Sequence, residues 1–346
     1  MTVPRSVLFE LTRRCNLNCV HCYIVDNHAR GDVTTAEAVD LLEQLAELGV
    51  LFLTLSGGEL LVRRDWLEIA TAAHRLRFSV TLFTNATLIT PAVADQIAGL
   101  DVTKVEVSLH GSRAETVDAI TQVTGSYERI LTGIRLLRAR GVYVKIKANL
   151  LAANAAEAHT FVAHAAALGV EVRTVSPVLI PRLDNDPAPL QQMLSVEALD
   201  AYYREEYQRL CDEALRQAGR FPCASKQRIC AIGLAEWVVS ADAFLYPCFN
   251  WRVRGFNLRQ MQLAEAATRI EELYPEMIGL QWQDLEPCAE GHQQLRPAHC
   301  GALSLRLAGD VRAHLPGFCH HASAQEHAYQ AEANRRGWSA VVEAGT

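Results

Sequence analysis

Residues 15–23 read CNLNCVHCY and set Cys15, Cys19 and Cys22 within eight positions. Neither the helical period nor the strand period keeps all three side chains on one face, so the thiols belong to a loop wrapped around something. Soft ligands at this spacing bind metals, and for the loop in isolation zinc with His21 or His28 is one reading. More polar groups stand at comparable points downstream. SGGEL (56–60) offers Gly57 and Gly58, which let backbone approach a ligand closely, with the Glu59 carboxylate beside them. TNATL (84–88) carries Asn85, and SLHG (108–111) carries Ser108 and His110.

The elements that must position these residues can be read from periodicity. VLFEL (7–11), VLFLTL (50–55), SVTLFT (79–84), KVEVSL (104–109), VYVKIKANL (142–150) and VEVRTV (170–175) are short apolar runs typical of strands. Between them lie helical patterns near 64–76, 91–98, 126–140 and 154–168. The first helix opens with the capping box Thr34-x-x-Glu37 and stops at Gly49. Strands alternating with helices imply a parallel sheet, and runs such as VLFLTL imply cover on both faces. Right-handed crossovers then close a partial (β/α)6 TIM-like barrel, an α/β fold whose chemistry sits on loops beyond the carboxyl ends of the strands. Cys15–Cys22, Gly57–Glu59, Asn85 and Ser108 share that rim. His110 is read there as a backbone partner ahead of a catalytic group. Lys145 and Lys147, alternating along the fifth strand, suit either the barrel interior or a solvated strand end.

Composition excludes other classes. Half of the 346 residues are apolar and the net charge is −6 with no Lys/Arg block, which favours neither nucleic acid nor an anionic membrane as partner. The N-terminus lacks a signal-peptide apolar core, and no apolar run approaches the roughly 18 residues of a membrane span. A cytoplasmic location is expected, where ten cysteines serve as ligands or thiols rather than disulfides.

C-x3-C-x2-C after the first strand, GGE after the second and TNxTLI after the third together resemble the radical S-adenosylmethionine (SAM) superfamily, over about residues 5 to 180. The usual SGGEP is SGGEL in this chain, and the usual TNG is TNA at Ala86. The resemblance implies that Cys15, Cys19 and Cys22 bind three irons of a [4Fe–4S] cluster whose open fourth iron is chelated by SAM. It implies that Glu59 with the Gly57–Gly58 backbone holds the methionine ammonium, that Ser108 lies near the ribose, that the His21 backbone contacts adenine, and that Asn85 belongs to the same SAM-facing rim. Zinc loses ground once GGE is counted with the cysteines. No catalytic acid or base is assigned.

Beyond the barrel (1–180), a proline-rich linker and bridging helix occupy 181–220, with Cys211 read as a small core residue. Cys223, Cys230, Cys248, Cys288, Cys300 and Cys319 then cluster as metal ligands. CAIGLAEWVVSADAFLYPC (230–248) resembles the opening hairpin of the SPASM domain, with Ala243 where the pattern has glycine. That resemblance implies an α+β auxiliary domain over 221–322, ahead of a helical tail over 323–346. It also implies one auxiliary iron–sulfur cluster on Cys223, Cys230, Cys248 and Cys300, a shortened "twitch" arrangement. Cys288 and Cys319 lack the other ligands of a second cluster unless His292 or His299 substitutes. The implied function is reductive cleavage of SAM to a 5′-deoxyadenosyl radical followed by oxidative crosslinking or dehydrogenation of a ribosomally made precursor peptide. The alternative is small-molecule chemistry: amino-sugar dehydrogenation, haem trimming or quinone-cofactor synthesis. A non-catalytic iron–sulfur scaffold is disfavoured, because the SAM-side residues are all present. The implied partners are a reductase such as flavodoxin or ferredoxin and, since only fourteen residues precede Cys15, a separate leader-peptide recognition protein.

Overall fold

The computed structural model describes residues 3–24, 31–176, 179–205, 230–281, 284–285, 300–313 and 315, with single positions at 324, 327, 328, 331 and 335. Six parallel strands follow one another in sequence: β1 (Ser6–Glu10), β2 (Phe52–Ser56), β3 (Ser79–Thr84), β4 (Lys104–Ser108), β5 (Val144–Asn149) and β6 (Glu171–Ser176). They are connected through α1 (Thr35–Glu47), α2 (Trp66–Arg75), α3 (Pro91–Gly99), the pair α4 (Ala114–Thr121) and α5 (Ser126–Arg138), and α6 (Ala158–Ala167).

Local chemistry fixes the helix starts. In α1 the Thr34 hydroxyl accepts from the Glu37 amide at 3.2 Å while the Glu37 carboxylate accepts from the Thr34 amide at 2.7 Å, so the capping box is closed. Thr90 caps α3, with Pro91 opening the helix. Register partners divide the sheet into two faces. Val7, Phe9, Leu53, Leu55, Val80, Leu82, Val105 and Val107 are buried on one, and each such side chain contributes about 1.5–3 kcal/mol. The other face carries Glu10, Thr54, Thr81, Glu106, Lys145 and Lys147 alongside Leu8 and Phe83, so it is largely polar. The expectation that VLFLTL is covered throughout fails at its start, where Leu51 and Phe52 are 46% and 52% exposed.

The sheet does not end at β1. Its order is β6-β5-β4-β3-β2-β1-β7-β8-β9, where β7 (Trp237–Val239) runs parallel to β1 and pairs antiparallel with β8 (Phe244–Tyr246). The short β9 (Phe256–Asn257) completes the edge. The hairpin expected from WVVSA and AFLYP is therefore present, and it extends the parallel sheet. Residues 232–275, within the stretch read as auxiliary, form one compact unit with residues 1–192. This unit also holds α8 (Leu263–Thr268).

The second unit comprises residues 193–231 and 276–346. Its described helices are α7, seen over 196–205, and α9 (Gly301–Ala308), which ends on Gly309 in the left-handed region. Leu199 and Tyr203 of α7 and Leu303 of α9 are buried. Among the described residues no helix is long and apolar enough to cross a membrane.

Candidate metal centre

The loop that leaves β1 is sewn down at both ends. The Thr12 hydroxyl donates to the Asp32 carboxylate and accepts from the Arg14 amide at 3.1 Å. Further along, the amides of Asn18 and Val20 donate to the carbonyls of Thr121 and Ile120 at 3.0 Å, pinning the loop to the end of α4, and Cys22 N closes a turn on Cys19 O at 3.0 Å. Three polar side chains form a closed ring beside Cys15. Asn16 Nδ2 donates to Thr87 Oγ1 at 2.8 Å, Thr87 Oγ1 donates to Asn85 Oδ1 at 2.6 Å, and Asn85 Nδ2 donates to Asn16 Oδ1 at 3.0 Å. Asn85 Nδ2 also lies 3.9 Å from Cys15 Sγ, and the Leu17 amide 3.4 Å from it, so the sulfur faces N–H donors.

SGGEL is built against this loop. The Gly58 amide donates to Thr12 O and the Glu59 amide to Arg14 O, both at 2.8 Å. A Cβ on Gly57 would stand 2.5 Å from Thr12 O, and one on Gly58 2.4 Å from Arg14 O. The glycines thus admit the backbone of the cysteine loop itself, a reason the sequence did not reveal. Glu59 is buried, and its carboxylate accepts from Leu61 N at 3.0 Å, Thr84 Oγ1 at 2.7 Å and Asn85 N at 2.6 Å. Burial raises its pKa, and these three donors oppose the shift. Glu59 therefore ties the end of β2 to the end of β3, which places Asn85.

On the far side of the rim Ser108 ends β4, opposite Lys147 in register. His110 is buried, and its Nδ1 accepts from the Asn149 amide at 3.1 Å, which is the backbone-partner role. Its ring meets His21 edge to face, centroids 4.4 Å apart. Burial pushes His21 down to about 4 and His110 well below the usual imidazole range, so both rings are neutral at pH 7. The His21 Nδ1 atom is buried without a hydrogen-bond partner. Lys147 lies 3.2 Å from the centroid of the Phe83 ring, while Lys145 pairs with Glu171 at 3.0 Å.

Burial raises the Cys15 thiol to about 11 and the Cys19 thiol to about 12, and it raises Cys22 as well. Such thiols become thiolates when a cation offsets the cost of burial. Among the described residues no three His, Cys, Asp or Glu side chains converge as ligands of one ion would. An iron–sulfur cluster takes each thiolate at a separate iron, and three thiols on one loop with N–H groups facing the first fit that demand.

The other cysteines divide between the units. Cys248 lies in the first, Cys230 and Cys300 in the second, and all three are half-buried thiols. Cys211, Cys223, Cys288, Cys319, His28, His292 and His299 lie outside the described residues. One group near Cys248 escaped sequence reading. Glu10, at the end of β1, takes a bidentate contact from Arg252 at 2.8 and 3.2 Å and a hydrogen bond from the Tyr23 hydroxyl at 3.1 Å. Burial and the Glu10 charge keep Tyr23 protonated. Residues 242 positions apart carry no local signal of such a pair.

Residues 9–154 match the family model described as the Radical SAM superfamily. The AdoMet-dependent heme synthase of Methanosarcina barkeri is 41% identical over 137 residues, 39% of each chain. The mycofactocin maturase MftC of Mycobacterium tuberculosis is 33% identical over 175 residues, 50% of this chain and 44% of that one. The chain spans less than half the length of these curated relatives. The solved structure of native anSMEcpe with bound AdoMet and Cp18Cys peptide matches with a TM-score of 0.67 over 96% of this chain and 97% of that one, at 14% identity, a likeness of fold.

Proposed function

We propose, from the match of residues 9–154 to the Radical SAM superfamily model, that this chain is an enzyme that cleaves S-adenosylmethionine reductively and oxidises a substrate held at the same rim. The observation that carries the reading is the cysteine loop after β1, held to the ends of β2 and β3 through Gly58, Glu59 and Asn85 and to the end of α4 through Asn18 and Val20. Cys15, Cys19 and Cys22 would hold a [4Fe–4S] cluster, which when bound and reduced would supply the electron that splits the SAM sulfonium into methionine and a 5′-deoxyadenosyl radical. Glu59 sets the spacing of the loops around SAM, Asn85 presents an amide to the Cys15 sulfur, and Ser108 and the His21 backbone flank the nucleoside. The neutral His21–His110 pair adds bulk without charge, which keeps water from that side.

The substrate we favour is a precursor peptide, as the PqqA peptide cyclase of Rhizobium meliloti suggests by its name. The second reading, a haem-type small molecule, is favoured by the 41% identity to the heme synthase. The extension we propose, over 221–322, carries one auxiliary cluster on Cys223, Cys230, Cys248 and Cys300. A flavodoxin or ferredoxin reductase, a separate leader-recognition protein and a cytoplasmic location complete the proposal. The test is anaerobic reconstitution with a strong reductant. The full chain should release 5′-deoxyadenosine and methionine from SAM, and Cys19→Ala should release none. Undiminished cleavage by that variant refutes the reading.

A further inference from the structure

The turn that carries Cys248 is fastened to the end of β1 by charge. The Trp251 amide closes it on Cys248 O at 3.3 Å, and Arg252 Nε donates to Phe249 O at 3.0 Å. The Arg252 guanidinium then reaches Glu10, its centre 4.9 Å from the Tyr246 ring and 5.5 Å from that of Phe249. The two charged side chains are 4% and 7% exposed. Tyr23, next to Cys22, donates to the same carboxylate and sets its ring edge to face on Phe249, next to Cys248, at 4.9 Å. A single carboxylate is thus the junction between the residue after one cluster ligand and the turn of another cysteine.

Burying two charges costs more than packing apolar side chains of similar volume, and such pairs are retained where they specify a register. We propose that Glu10, Arg252 and Tyr23 are positioning residues that fix the Cys248 turn against the Cys22 end of the cluster loop, and that Cys248 takes up iron in its native form only when it is held there. The inference rests on the proposed function and extends it to residues outside either ligand set.

The test uses the full chain with Cys15, Cys19 and Cys22 all changed to Ala, reconstituted with iron and sulfide, so that only auxiliary iron is read. That background should hold about four irons per chain and give one cluster signal in electron paramagnetic resonance after reduction. Adding Glu10→Gln should remove at least half of the iron and alter the g-values of the remainder. Because an unpaired buried arginine can unfold the unit, Glu10→Leu/Arg252→Met is made alongside. It leaves no charge unpaired, should keep the native circular dichroism, and should still alter the signal. Iron and spectrum unchanged in both variants overturn the proposal. A background protein that binds no iron overturns the auxiliary-cluster reading, and this inference with it.

Discussion

The two described cysteine turns of the first unit are held by different balances of neutral and charged bonds. The Cys15–Cys22 loop is fixed by backbone bonds to α4 and by the neutral ring of Asn16, Thr87 and Asn85. The Cys248 turn adds a buried ion pair to its backbone bonds through Pro247 and Trp251. Many neutral bonds fail one at a time, each at a net cost of about 1 kcal/mol. A buried charge that loses its partner fails at once. The first turn is therefore tolerant of change around it, and the second is not.

The largest expected effect follows from that contrast. Arg252→Ala strands the Glu10 carboxylate and should lower stability in urea unfolding by about 3–5 kcal/mol, whereas Asn16→Ala should lower it by about 1–2 kcal/mol. Equal losses would erase the distinction between the turns.

A second pair of variants sharpens it in the opposite direction. Ala86, beside the first cluster loop, has φ 59°, and Ala243, in the hairpin that precedes Cys248, has φ 64°. These are the two positions where the chain has alanine and the resembling patterns have glycine. The left-handed conformation disfavours alanine by roughly 1–2 kcal/mol, part of which glycine returns in unfolded-chain entropy. Ala86→Gly and Ala243→Gly should each raise stability, by up to about 1 kcal/mol, in the same unfolding measurement. A loss in either would mean the Cβ packs better than the backbone angle suggests.

How far the sequence went is clear from such positions. β1–β6 and α1 were legible because period and capping are local signals. α4 was not: Arg113 offers its start no side-chain cap, and Gln122 rather than glycine takes the left-handed position at its end. The rim residues were identified by type, but their reasons were not. Gly57 and Gly58 admit the backbone of Thr12 and Arg14, and Glu59 spends its oxygens on β3. Those contacts join loops from different strands, and no single stretch encodes them. The same holds for Glu10 and Arg252, and for the docking of β7 beside β1.

The smallest effect concerns pH. Arg259, at 2.7 Å, and the Thr34 amide hold the Glu37 carboxyl down at about 2, against 4.5 when unperturbed. A depressed carboxyl stabilises the fold above its unfolded value and loses that contribution as pH falls from 4.5 towards 2. The pair is partly solvated, so the amount is about 0.2–1 kcal/mol. Unfolding of Glu37→Gln at pH 6 and pH 3 should show a shallower dependence than the parent chain, and an identical slope would remove Glu37 from the account.

The parallel seat of β7 beside β1 also bears on how the chain is made. Strands β1 to β6 can pair in the order they leave the ribosome, each beside its predecessor. The other flank of β1 must wait for Trp237–Val239, after every helix of the barrel has been synthesised. Until then the nascent sheet presents Val7, Leu8 and Phe9 as an open edge, the kind of surface that recruits other strands. A long-range pairing of this sort is slow to form, and any product truncated before residue 237 keeps an unfinished, aggregation-prone edge.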